Sequence, residues 1–183
     1  MRSYSMKTFV GCTVAIVSLA HLASAQAPPP APPVVANPTY ISIPMEIMVN
    51  RPAAEVWKRV GKYCDIGEWF RIPCTITSGK DGEFGAVRSV GNEVLVGKTE
   101  LSYTYTQPVR VGQTYNLYHG TLEAKPVSAT ASKLVYTLIL DNSMLADDAA
   151  RKADVDRRRA RFTQALKDMK TLAEGGKLAA PSK

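Results

Sequence analysis

Asp147–Glu174 reads DDAARKADVDRRRARFTQALKDMKTLAE, the one long stretch of this chain with a helical period. Val155, Phe162, Leu166, Met169 and Ala173 fall on one stripe, with Ala165 and Leu172 beside it. The bulky apolar residues lie in its second half, and its first half is polar. Asp147 and Asp148 suit the positive end of a helix dipole, and Gly175-Gly176 is a ready stop. Before this helix, Tyr40 to Asn142 reads mostly as short strands. A curved antiparallel sheet gripping a single long helix leaves a gap between the two layers. The expected use of such a gap is a small-molecule cavity.

Working back from the helix, Ile41, Ile43, Met45, Ile47 and Val49 alternate with Ser42, Pro44, Glu46, Met48 and Asn50, a half-buried strand pattern. Pro44 has no amide to donate, which predicts an edge position or a bulge. Asn50-Arg51-Pro52 then starts a helix, with Asn50 as its cap, Pro52 in its first turn and Val56, Trp57 and Val60 facing inward. Gly61 ends it, and a short helical turn follows with Tyr63, Ile66, Trp69 and Phe70. The spacing then predicts strands over Thr75–Thr77, Ala86–Val90, Glu93–Thr99, Leu101–Thr106, Tyr115–Ala124 and Leu134–Leu140. Gly79–Gly82 and Gly91-Asn92 read as turns, the latter a tight hairpin. Turns this frequent favour an antiparallel sheet over parallel crossovers.

The amino end has a different character. Arg2 and Lys7 precede an apolar run from Phe9 to Leu22 and then Ala23-Ser24-Ala25, the parts of a secretory signal peptide over residues 1–25. The run falls short of the ~20 residues that span a bilayer, and no second one approaches that length, so no transmembrane segment is expected. Cys12 sits too early in the run for a lipidation site. Residues 26–39 are rich in Pro and Ala and read as an extended spacer. Residues 177–183 read as a disordered tail.

The whole chain has 23 Lys and Arg against 16 Asp and Glu. Without Arg2 and Lys7 that becomes 21 against 16, a mild excess. Much of it is local: Arg151, Lys152, Arg157, Arg158, Arg159 and Arg161 interleave with Asp147, Asp148, Asp154 and Asp156. Pairing along a solvated helix face accounts for that pattern. No zinc-finger, RNA-binding or helix-turn-helix signature supports a nucleic-acid partner. Oligomeric state is not encoded in any of these features.

Two cysteines remain beyond the signal segment, Cys64 and Cys74. An exported protein with one such pair is expected to form a disulfide. The closed loop is short, so its effect on the unfolded chain is about 2–3 kcal/mol at most.

Met45–Val49 followed by Asn50-Arg51-Pro52-Ala53-Ala54-Glu55-Val56-Trp57 resembles the opening of the START-like superfamily, the SRPBCC group of polyketide cyclase/dehydrase and lipid-transport type. Gly85-Ala86-Val87-Arg88, Leu101-Ser102-Tyr103-Thr104-Tyr105 and the closing Phe162–Leu172 helix resemble the same group in the same order. The resemblance covers Met45 to Ala173. It implies an α+β helix-grip fold over residues 40–176: a curved antiparallel sheet wrapped around a long C-terminal helix, with two short helices after the first strand. It also implies a hydrophobic cavity, and it implies no common catalytic residue. The export signal and the cysteine pair depart from the cytosolic pattern and speak against intracellular polyketide chemistry.

Candidate site residues follow from strand faces. His119, the one histidine beyond the signal segment, shares a face with Leu117 and Thr121. Looking inward, it would be a general base or a hydrogen-bond donor; looking outward, a surface histidine. Tyr103 and Tyr105 share a face and would line a cavity with hydroxyls that orient a ligand. Arg88, turned inward, would anchor a polar head group. Trp69-Phe70 falls where the resemblance places the cavity mouth, as a lid or as simple packing. No Ser-His-Asp set, phosphate loop, paired-carboxylate motif or metal cluster can be read, so neither cofactor nor metal is expected. The leading expectation is an exported protein that binds a small apolar or amphipathic ligand. A cyclase/dehydratase-type enzyme using His119 is the alternative. A third reading is an envelope interaction or stress protein that works through Arg157–Arg161.

Overall fold

Alternation along β1 (Tyr40–Val49) buries Ile43, Met45 and Val49 and turns Ser42, Pro44 and Glu46 away from the core. The computed structural model describes residues 35, 37–110 and 112–179. The expected signal peptide, most of the expected spacer and residues 180–183 lie outside the described residues. After β1 come α1 (Ala53–Val60), α2 (Ile66–Trp69), β2 (Ile76–Ser78), β3 (Val87–Arg88), β4 (Glu93–Thr99), β5 (Ser102–Thr106), β6 (Tyr118–Pro126), β7 (Ser132–Asp141) and α3 (Asp148–Ala173). The strands form one antiparallel sheet in the order β1-β7-β6-β5-β4-β3-β2. One long helix packs on one face of this sheet, so the fold is the α+β helix grip.

β1 is an edge strand, in unbroken register with β7 from Tyr40 opposite Asp141 to Val49 opposite Ser132. Of the two readings of Pro44, the edge position is the one that holds, and no bulge interrupts the ladder. In α1 the buried positions are Ala53, Val56 and Val60. The expected Asn50 cap does not form. Pro52 occupies the cap position, and the Asn50 amide instead donates to Glu174 Oε1 at 2.8 Å, which ties the end of β1 to the end of α3.

Cys64 and Cys74 are joined as a disulfide, with their Cα atoms 5.5 Å apart. The bridge closes a loop around α2 and seats Ile66 and Trp69 in the core. The β3–β4 turn has Gly91 at φ 62° and Asn92 at φ 52°, with the Glu93 amide donating to the Val90 carbonyl. Two successive positive φ angles match the twist of the flanking strands, the hairpin geometry that Gly-Asn permits.

α3 is capped at both ends by its own sequence. Asp147 accepts from the Ala150 amide at 2.7 Å. At the other end Gly175 (φ 89°) donates to Leu172 and Gly176 to Thr171, the paired bonds of a Schellman stop. Phe162, Ala165, Leu166, Met169 and Leu172 are buried against the sheet. Beyond the helix, Leu178 is partly buried against the core.

Candidate functional site

The gap between sheet and helix is filled over the second half of α3 and open over the first half. There a cavity of about 330 Å³ is walled by Ile66 and Phe70 after α1, by Val90 and Glu93 of the β3–β4 hairpin, by Tyr105 of β5 and Gln107 just after it, by Tyr115 just before β6 and Tyr118 at its start, and by Arg157, Arg158, Arg161 and Phe162 of α3. The amphipathic change along α3 produces this shape. Large apolar side chains close the gap from Phe162 onward, and before that point arginines border it.

The polar groups of the wall form connected sets. Arg88 is fully buried, and its Nε donates to Glu93 Oε2 at 2.6 Å. Its Nη1 donates to the Tyr63 carbonyl at 2.6 Å. The guanidinium carbon lies 4.3 Å from the ring centre of Tyr63, 4.7 Å from that of Tyr105 and 5.6 Å from that of Tyr103, a cage that suits a delocalised cation. Burial works against the charge of Arg88, but Tyr103, Glu93 and neighbouring hydroxyls outweigh it and the group stays protonated. Burial pushes the Glu93 carboxyl above the usual carboxylate range, with Arg88 pulling the other way. Glu93 Oε1 accepts from Gln107 Nε2 at 3.4 Å, and the Tyr115 hydroxyl donates to Gln107 Oε1. One chain of bonds therefore runs from the buried guanidinium to the cavity rim.

On the helix side, Asp154 is buried and accepts from Arg158 Nε at 2.7 Å and from Arg157 Nη2. Arg158 is thereby held over the ring of Tyr118, 5.2 Å from its centre. Burial opposes the Arg158 charge, but its bond to Asp154 and the nearby Tyr118 hold its pKa above the ordinary value. Arg161 lies 4.8 Å over the ring of Phe70. The Tyr118 hydroxyl, chiefly through burial, is pushed up to about 12, and Tyr105 and Tyr136 are raised by burial as well. All three stay protonated at neutral pH, and Tyr136 donates to the Tyr105 oxygen at 3.0 Å. Gly120 makes room for this arrangement: a Cβ there would lie 2.4 Å from the Tyr105 hydroxyl.

The residues picked out by strand faces fare differently. Tyr105 lines the cavity as expected. Tyr103 is buried on the same face but borders a separate space of about 320 Å³ beside Trp57, Tyr63, Leu95 and Lys98. Arg88 does turn inward, yet it is absent from the cavity wall and its charge is answered by Glu93, a residue of that wall. Trp69 is no lid: it is 1% exposed and packs edge-on against Tyr136, while Phe70 beside it forms the rim. His119 faces away from the cavity. Tyr118, Gly120, Leu122 and Ala124 are the buried positions of β6, and His119 alternates with them opposite Thr106 and Ile139.

Glu93, Tyr115 and Tyr118 escaped sequence reasoning, and the α3 arginines, read there as a solvated or interaction face, were not expected at a cavity. The sequence held no clear signal for Glu93: a two-residue turn at Gly91-Asn92 would set Arg88 opposite Leu95, whereas the ladder closes four residues apart and pairs Arg88 with Glu93. None existed for Arg158 and Arg161, whose inward turn depends on how the helix lies.

This is the fold of START-like, SRPBCC-type proteins. No family model matches the chain, and no curated protein matches it by sequence. Among solved structures, a protein from Thermobifida fusca determined by NMR superposes with TM-score 0.60 at 22% identity, over 75% of this chain and 97% of that one. The Zhui aromatase/cyclase from Streptomyces sp. R1128 superposes with TM-score 0.57 at 16% identity, over 75% and 99%. The di-domain aromatase/cyclase BexL of the BE-7585A biosynthetic pathway gives TM-score 0.55 at 18% identity, over 73% of this chain and 46% of that one. Identities this low establish a shared fold only.

Proposed function

We propose that this protein is exported and that its cavity binds a small amphipathic molecule. The observation that carries this reading is the aromatic-walled space of about 330 Å³ between sheet and α3, bordered by Tyr105, Tyr118, Phe70 and Phe162. Its volume lies near the lower end of small-molecule sites. Affinity would come from burying ligand surface at about 25 cal/mol per Å², with the tyrosine hydroxyls and arginines setting orientation. Export is supported by the basic, apolar and small-residue pattern of residues 1–25 together with the Cys64–Cys74 bridge. Among the described residues no helix is long and apolar enough to cross a membrane. Native mass spectrometry of the protein purified from its own cell envelope without reduction tests the reading. The expected species begins at Gln26, weighs two hydrogens less than the reduced chain and carries a bound small molecule. A protein that arrives empty and takes up no aromatic or aliphatic probe at millimolar concentration would refute it.

A second reading, a cyclase- or dehydratase-type enzyme, is favoured by one observation. Glu93, a carboxyl raised by burial, forms part of the cavity wall within reach of Gln107 and beside Tyr105. If a substrate is turned over, Glu93 takes the acid–base role that His119 cannot reach. A folded Glu93→Gln variant with undiminished turnover would end that reading.

A further inference from the structure

Resting on the reading of the cavity as a small-molecule site, we propose that its ligand is an anion: Arg161 binds the acidic group at the mouth, and a flat aromatic body lies inside. Three arginines of α3 border the cavity, and one carboxylate, Asp154, serves two of them. The other wall acid, Glu93, already answers Arg88. Among the described residues Arg161 has no carboxylate within ion-pair distance, so the helix side of the cavity carries an excess of positive charge. The Phe70 ring under the guanidinium leaves its planar edge of N–H donors available, a geometry that matches a carboxylate, sulfonate or phosphate. Tyr105, Tyr115, Tyr118, Phe70 and Phe162 outnumber the aliphatic Ile66 and Val90 in the wall, and aromatic side chains pack well against a planar partner. Arg161 is exposed to solvent, so a neutral ligand would leave its charge to water, whereas an anionic one would pair with it.

Two fluorescent probes with the same ring system separate the charge from the apolar body: anilinonaphthalene sulfonate, an anion, and N-phenylnaphthylamine, its neutral counterpart. Both are titrated into the mature, disulfide-bonded protein, into Arg161→Gln and into Arg159→Gln, whose native arginine donates to the Pro44 carbonyl away from the cavity. Val90→Trp, which fills the cavity, locates the site. The anion is expected to bind at least about 10-fold more tightly than the neutral probe, as suits one charge-assisted interaction. Arg161→Gln should remove that advantage, leaving the neutral probe unchanged, while Arg159→Gln alters neither. Added salt should weaken only the anion, and Val90→Trp should abolish both. Equal binding of the two probes, unaffected by Arg161→Gln, would overturn the anion assignment and leave the cavity reading standing. Binding of neither probe, or binding that survives Val90→Trp, would overturn both.

Discussion

At the scale of single residues, the Arg88–Glu93 pair shows how burial changes what a charge can do. Arg88 takes the inward one of the two placements its strand position allowed, and the hairpin sets Glu93 opposite it at 2.6 Å while three tyrosine rings close around it. A buried pair of this kind adds little stability compared with an apolar replacement, while losing one partner strands a charge. Glu93→Leu should therefore cost about 3–5 kcal/mol in urea unfolding, and Arg88→Met with Glu93→Leu should cost clearly less than the single change. A single variant within ~1 kcal/mol of wild type would mean that the pair is not functioning as described. His119 carries the opposite lesson. Its face was legible as Leu117, His119 and Thr121, but which face turns inward is decided by the rest of the strand. The competing set Tyr118, Gly120, Leu122 and Ala124 is the more apolar one, and it faces the core.

At the scale of elements, α3 was the most legible part of the chain. Its caps and stop are local interactions among neighbours in sequence, so Asp147 and Gly175-Gly176 bound it as read. Its rotation about its own axis was not legible, because Arg158 and Arg161 reach the cavity through contacts with Tyr118 and Phe70, distant in sequence. Glu174 fastens the end of this helix. It accepts from the Asn50 amide and from Lys170 Nζ, both at 2.8 Å, and these two bonds hold its carboxyl below the usual carboxylate range. A lowered folded-state pKa means that the folded protein binds fewer protons than the unfolded chain. The stability it contributes is thus present above about pH 4.3 and lost as pH falls through the lower folded value. Glu174→Gln should reduce stability by under about 1 kcal/mol at pH 7, since the pair is partly solvated. The gap in melting temperature between variant and wild type should close near pH 2; a gap that persists there would refute the linkage.

At the scale of the whole molecule, the disulfide bears on the shape of the cavity. It pins the segment that supplies Ile66 and Phe70 to one wall, far in the chain from the tyrosines and arginines opposite. Reduction should lower the stability of the mature protein by about 2–3 kcal/mol and weaken binding of the anionic probe, because that wall loses its restraint. Urea melts with and without reductant, paired with a probe titration, check both effects. Identical midpoints and affinities would show that the bridge restrains nothing relevant.

The sequence by itself determined the order of strands and helices, the bounds of α3 and the pairing of the two cysteines, and it narrowed β1 to an edge strand or a bulged one. These follow from short-range patterns: the periods of 2 and 3.6, caps, turn residues, and a single pair of thiols to join. Only the tertiary structure decided which charges meet and where the open space lies. Arg88 finds Glu93, Asp154 holds Arg158, Trp69 retreats into the core and His119 turns outward because each side chain's surroundings are assembled from segments remote in sequence. Local pattern selects the faces that can be buried, and packing the helix against the sheet selects which of them is.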